Sequence, residues 1–290
     1  MADHKHEVDE VSGTATTGHE WDGIKELNTP LPRWWLWTFY GTIVWGVIYT
    51  ILYPAWPLIN NATAGVLGYT SRAAVHEAIA EASEAQRVYT DRIAALDIEQ
   101  VAQDADLMQF AQSGGAAIFR TYCSQCHGAG AAGVQASGYP NLLDDDWIWG
   151  GALADIETTL RHGIRYDGDD DTRISEMPAF GRDEILVPDE IAAVADHVLS
   201  LSGKGTSTEQ GAALFAENCA VCHGEDGKGQ HALGAPNLTD AIWLYGSDRD
   251  RVIESITYSR GGVMPAWSTR LSDTQIKQVA LYVHSLGGGQ

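Results

Sequence analysis

The hydrophobic pattern changes character three times along the chain. From Trp34 to Tyr53 twenty residues run without a charge, and no Lys, Arg, Asp or Glu occurs between Arg33 and Arg72. Twenty helical residues span about 30 Å, the thickness of a bilayer's hydrocarbon core. Trp34, Trp35 and Trp37 crowd one end and Trp56 lies beyond the other, as interfacial aromatic residues do, while Pro54 and Pro57 end the helix. The segment predicts a membrane anchor over 34–59. A buried helix of a soluble core is rarely this long and aromatic. A cleaved leader, with Ala62-Thr63-Ala64 as its site, would carry an apolar run of about 7–15 residues behind a short basic stretch. Here a longer run follows a long polar segment, so the anchor is expected to be retained. Lys25 and Arg33 on one side against Arg72 on the other bias the N-terminus inward.

The second pattern covers residues 72–110, rich in Ala, Glu and Gln and free of Gly and Pro. It reads as helix with partial apolar faces at Ala74, Ile79, Ala82, Ile93 and Leu96, a surface-lying spacer. The third pattern is a duplication. Gly115-Ala-Ala-Ile-Phe119 precedes Cys123-Ser-Gln-Cys126-His127, and Gly211-Ala-Ala-Leu-Phe215 precedes Cys219-Ala-Val-Cys222-His223. Each histidine is followed by Pro-Asn-Leu, at Pro140 and Pro236, then by Trp147 or Trp243, then by Met177-Pro-Ala-Phe or Met264-Pro-Ala-Trp. Each copy closes with an apolar helical stretch, Glu190–Leu201 and Gln275–Leu286, and Ser202–Ser207 joins the copies. The expected fold is all-α: one N-terminal transmembrane helix and two tandem small helical domains. The expected segments are a cytoplasmic stretch 1–33, the anchor 34–59, a helical linker 60–109, and domains 110–204 and 205–290. The composition of residues 1–33 points away from order.

Charge narrows the partners. The 290 residues hold 18 basic and 39 acidic side chains, a net charge of −21, which excludes a nucleic-acid binder and favours a basic docking partner.

Chemistry enters with the four cysteines. Cys-x-x-Cys-His is the attachment signature of c-type haem. Two thiols one helical turn apart reach the two porphyrin vinyl groups, and the adjacent histidine lies under the iron. A zinc site from two C-x-x-C pairs has about 15–20 residues between the pairs, whereas Cys126 and Cys219 are 93 apart, each in its own copy. A thioredoxin-like redox pair requires a βαβ context that is absent. Two covalently bound haem c groups are therefore expected. Met177 and Met264 occupy matching positions before Pro, so Met177 is expected to pair with His127 and Met264 with His223 as axial ligands. Such six-coordinate irons move electrons and leave no open position for bond chemistry. The carbonyls of Pro140 and Pro236 are expected to accept the Nδ1 protons of the ligating histidines.

Other candidates carry less. Trp147 and Trp243 either wall the haem, reach a propionate or pack the core. Met108 reads as packing, and His162, His197, His231 and His284 as surface or core residues. The first copy has 30 residues from Trp to Met against 21 in the second, and the extra length includes Asp167-Gly168-Asp169-Asp170-Asp171. That loop reads as a solvated acidic run, a docking patch for a basic cytochrome, or a cation site.

The anchor, the spacer and the two CxxCH…PNL…MP units resemble subunit III of the cbb3-type cytochrome c oxidases, over nearly the whole chain. The resemblance implies an electron relay from a donor cytochrome c toward a monohaem cytochrome c subunit and a catalytic haem–copper subunit that reduces oxygen and pumps protons. It implies that the two helical domains are class I cytochrome c domains, a bacterial inner-membrane location with haem domains in the periplasm, and no catalysis by this subunit alone. Carried over, the haem-binding residues are Cys123, Cys126, His127 and Met177, then Cys219, Cys222, His223 and Met264. Two rivals remain: a free-standing membrane dihaem shuttle for another respiratory complex, and a dihaem peroxidase. Paired methionines count against the peroxidase, which needs a displaceable position at one iron.

Overall fold

The computed structural model describes residues 7–288 and divides within one long helix into two units, residues 1–85 and 86–290. The first unit opens with a hairpin of β1 (Thr16–Trp21) and β2 (Ile24–Leu27), antiparallel, with Trp21 opposite Ile24 and Glu20 opposite Lys25. Asp22 and Gly23 make its two-residue turn with φ of 47° and 86°, the pair of positive values that a type I′ hairpin turn demands. This corrects the expectation that 1–33 lacks order, at least over 16–27; residues 1–6 lie outside the described residues. Asp-Gly between alternating residues was the signal.

Helix α1 (Arg33–Leu52) follows, long and apolar enough to cross a membrane, with none of its residues buried within the protein. Its aromatic side chains stack at i, i+4 spacing, Trp35 on Phe39 and Trp45 on Tyr49 at 5.4 Å. The helix stops at Leu52, just ahead of Pro54, as the two prolines led one to expect. The chain then folds back so that the N–H groups of Val66 and Leu67 donate to the carbonyls of Ile51 and Leu52. Two carbonyls that a helix end leaves without partners are thereby satisfied.

The long helix is α2 (Ser71–Ala95), with α3 (Ile98–Gln103) and α4 (Ala105–Ile118) after it. The continuous helix read over 72–110 is thus three. Asp97 and Asp104 adopt extended backbone and break it; Asp97 closes a capping box with Gln100, and Asp104 accepts from the N–H groups of Asp106 and Leu107. The residues from the end of α2 onward are not a spacer. Ile93, Val101 and Leu107 are fully buried in a core that therefore starts well before residue 110.

A short π-helical turn (Phe119–Cys123) leads into α5 (Ser124–His127), and α6 (Leu153–His162) and α7 (Pro188–Leu201) complete the first repeat. The second has α8 (Glu209–Asn218), α9 (Ala220–His223), α10 (Arg249–Tyr258) and α11 (Asp273–His284). The helices do not sort by repeat. Helix α11 packs on α4, α6 and α3, while α7 packs on α8 and α10. One core joins Ile93, Leu107, Phe119, Leu160, Trp267 and the buried face of α11; the other joins Phe180, the buried face of α7, Phe215, Val252 and Ile256. The expected boundary at 204/205 separates the sequence copies, but the closing segment of each copy is built into the core of the other.

Candidate functional site

Each Cys-x-x-Cys-His unit is one turn of helix, which puts its two thiols on a common face with the histidine at the end. Gly128 and Gly224 end α5 and α9 at φ of 79°. From there the chain loops back, with the N–H of Gly133 on the His127 carbonyl and that of Gly229 on the His223 carbonyl, both at 2.8 Å. The same loops return a proline carbonyl to each ring: Nδ1 of His127 lies 3.2 Å from the Pro140 oxygen, and Nδ1 of His223 lies 3.1 Å from that of Pro236. A carbonyl can only accept, so Nδ1 carries the proton and Nε2 keeps its lone pair. Burial pushes both imidazoles below their ordinary pKa, against the smaller opposing pull of the proline carbonyls. Both histidines are thus held neutral, in the tautomer that ligates iron through Nε2.

Burial, with a smaller contribution from the neighbouring thiol, pushes Cys123 and Cys219 up to about 11. At neutral pH both therefore stand as uncharged thiols.

His127, Cys123 and Cys126 open onto a cavity of about 490 Å³, whose walls are largely apolar and include Trp147, Trp267 and Met264. The donor set fits haem c: two thiols, a neutral imidazole and a thioether around an apolar slot. Trp149 adds a further mark, because its indole Nε1 is buried on this wall without an acceptor. A buried donor of that kind matches the carboxylate edge of a porphyrin. Trp147 and Trp243 do not reach for that edge. Their indole N–H groups donate to the carbonyls of Asp144 and Asp240, at 2.8 and 3.1 Å.

Around the second unit, Cys219, Ala220, Leu238, Trp243 and Met177 gather on the core that Phe180 and Phe215 share. The expected pairing of methionines is therefore not the one that the packing brings together. Met264 stands in the His127 cavity and Met177 stands with Cys219, because the chain after each arginine, Arg173 or Arg260, crosses to the other repeat.

The remaining candidates fall away from these sites. Met108 packs on the first core. His197 hydrogen-bonds Ser207 through Nδ1 and meets Phe215 at a tilt, 4.9 Å between ring centroids. His162 pairs with Asp169 at 3.1 Å, and with Asp171 these form the one group of three metal-capable side chains among the described residues. Sequence reasoning missed Arg173 and Arg260, each four residues before its methionine. Arg173 lies over the Trp149 ring and Arg260 over the Tyr245 ring, at 5.2 and 4.6 Å. The signal was available: Arg-x-x-x-Met-Pro-Ala recurs in both copies, and Trp149 and Tyr245 each lie two residues after the repeat's tryptophan.

Comparison with known proteins agrees with this site. Residues 13–60 match the family described as the N-terminal domain of cytochrome oxidase-cbb3, FixP, and residues 111–198 and 206–283 match cytochrome c oxidase, cbb3-type, subunit III. A Cereibacter sphaeroides protein named as cbb3-type cytochrome c oxidase subunit CcoP is 55% identical over 278 residues, covering 95% of each chain. A Sinorhizobium medicae protein named as subunit FixP is 52% identical over 294 residues and the full length of both, and a Rhodobacter capsulatus CcoP is 52% identical over 95% of this chain and 96% of its own. The cytochrome c-type domains imply haem c, and the apolar α1 fits membrane anchoring. The chain belongs to the CcoP/FixP family of cbb3-type cytochrome c oxidase subunits and is an electron-transfer subunit of that oxidase.

Proposed function

We propose that this subunit holds two covalent haem c groups, on Cys123, Cys126 and His127 and on Cys219, Cys222 and His223, with Met177 and Met264 as the sulfur ligands. Each haem supplies a one-electron Fe(III)/Fe(II) couple. The chain does the rest: its histidines are locked in one tautomer by Pro140 and Pro236, its methionines would supply the sulfur ligands, and its apolar walls would keep water from the iron. With no position left open, the subunit catalyses nothing alone. It passes electrons from a donor cytochrome c of basic surface to a monohaem cytochrome c subunit and the catalytic haem–copper subunit. The haem domains stand in the periplasm of a bacterial inner membrane, with the N-terminus cytoplasmic.

The observation that carries this reading is the repeated geometry, in which two CxxCH turns each have their histidine Nδ1 on a proline carbonyl thirteen residues later. Chain made with its haem-attachment machinery is expected to contain two haems by pyridine haemochrome assay, and Cys219→Ala/Cys222→Ala one. A wild-type value of one or none rejects the proposal. Purification from native membranes in mild detergent is expected to retain high-spin haem b and copper, and their absence rejects the placement beside the catalytic subunit.

A further inference from the structure

We propose that Arg165 and Trp149 form a carboxylate-binding end of the His127 cavity and hold a propionate of the haem c seated there. The inference rests on the reading of this cavity as a haem c site, and it names two residues that lie outside the attachment motif.

Both side chains line the cavity, and both have donor capacity that the protein leaves unused. Trp149 is only 9% exposed, yet its indole N–H has no acceptor. Its ring is held in place: Arg173 lies over it at 5.2 Å, and Gly234 of the second repeat packs so close that a Cβ there would run into the indole. Arg165 is partly buried, and its guanidinium is fixed by two carbonyls. Nε donates to that of Gly262 at 2.7 Å and Nη1 to that of Ser175 at 3.1 Å. A guanidinium carries five donors, so most of its capacity remains. Among the described residues no carboxylate forms an ion pair with it, whereas Arg161, Arg173 and Arg260 each have one, on Glu157, Asp155 and Glu254. A cation withdrawn from water without a counter-charge is costly, and an anion in the cavity removes that cost.

The cavity's own acids do not supply that anion. Asp144 and Asp146 lie on its wall, but neither pairs with Arg165, and burial pushes both carboxyls up, toward the uncharged form. Tyr245 and Glu176 act on Arg165 less strongly than burial does, so its pKa stays below the ordinary value. The backbone is bent to aim this side chain. Arg165 has a φ of 50°, a left-handed conformation that a residue with a Cβ holds only where its surroundings fix it. Its own N–H donates to the Arg173 carbonyl at 2.9 Å, and the N–H of Ile164 before it to the Met264 carbonyl at 2.9 Å. Gly261 leaves the guanidinium its space, since a Cβ there would lie 3.2 Å from Nε. The second repeat has no such cation. Counted from the residues that end α6 and α10, Gly163 and Ser259, the position of Arg165 is taken by Gly261. A planar carboxylate fits what is left open at the first site: it accepts from the arginine fork and from the indole N–H in charge-assisted bonds.

The experiment uses full-length chain made with its haem-attachment machinery and isotopically labelled at the haem propionate carboxyls. In redox-difference infrared spectra a labelled carboxylate band is expected to move in Arg165→Gln and in Trp149→Phe, which keeps an aromatic ring and loses only the donor. Cys126→Ser then leaves the haem at His127 on one thioether and displaces its α-band, so that its midpoint is read apart from the other. In that chain Arg165→Gln is expected to lower the midpoint at the displaced band, since a cation beside the site favours the reduced iron, and to leave the His223 site unchanged. Arg165→Lys keeps the charge and is expected to lower it less. A labelled band that stays in place in both variants, a midpoint that does not move, or an equal fall at both sites overturns the proposal. A wild-type chain without haem overturns the underlying reading instead, and is seen before any residue is changed. Should Arg165→Gln fail to fold, the infrared band in Trp149→Phe decides alone: a shift supports the proposal and an unmoved band overturns it.

Discussion

Asp146 shows how a single carboxyl is strained by this fold. Burial, and then the negative charges of Asp240 and Asp144, push it from 3.8 to about 6. A carboxyl whose pKa is raised by folding favours the native state when protonated, and that contribution is lost as pH climbs from the unfolded to the folded value. Asp146→Asn is therefore expected to raise the thermal midpoint at pH 7 and to leave it nearly unchanged at pH 4; scanning calorimetry at both pH values checks this. Lys277 acts in the opposite sense. Its ammonium donates to the carbonyls of Ile93 and Leu96, the otherwise open end of α2, at 3.2 and 2.5 Å. Lys277→Met is expected to cost about 1.5–3 kcal/mol, the range for hydrogen bonds to a charged group, read from urea unfolding. Neither role was legible in the sequence, because both depend on residues far along the chain. The two Cys-x-x-Cys-His units were legible, since each is packed into five consecutive positions.

Among the elements, two glycines decide whether helices close, since a Cβ on Gly115 would run into the Gln278 carbonyl of α11 and one on Gly211 into the Ala193 carbonyl of α7. Gly115→Val in α4 is expected to destabilise the chain by ~1–3 kcal/mol through overpacking against α11, and Gly211→Val to do the same through α7. Each should loosen the haem site of its own core, visible as partial loss of methionine ligation at that haem. An unbroken uncharged run revealed α1, and periodicity the closing helices of both repeats, because their apolar faces recur at helical spacing. It did not reveal which closing helix meets which opening helix. Both copies present the same apolar face and the same glycine, so pattern alone is silent between two equivalent partners. The breaks at Asp97 and Asp104 were also passed over, although aspartates followed by helix formers are usual N-caps. The β1–β2 hairpin was missed because average composition outweighed a two-residue turn signal.

For the molecule as a whole, the charge of −21 sets how a donor arrives. Electron uptake from a basic cytochrome c is expected to slow as ionic strength rises, while uptake from a small neutral reductant stays flat; stopped-flow traces at several salt concentrations separate the two. Because Met264 lines the His127 cavity, the two repeats are also unequal as fragments. A chain truncated after residue 204 lacks α11 and Met264 altogether, and its single haem is expected to be high-spin or to bind added imidazole, as its visible spectrum would report. The architecture of anchor and two tandem repeats could be read from the sequence, but this interlocking could not, since it arises only from the path between Arg173 and Met177 and between Arg260 and Met264. That path has a consequence for biogenesis. As the polypeptide emerges in order from its N-terminus, the earliest cysteine pair must wait for the last helix to arrive before its chamber can shut. The attachment machinery thus has an open door at the first site for the longest time, and the final residues translated are the ones that lock it.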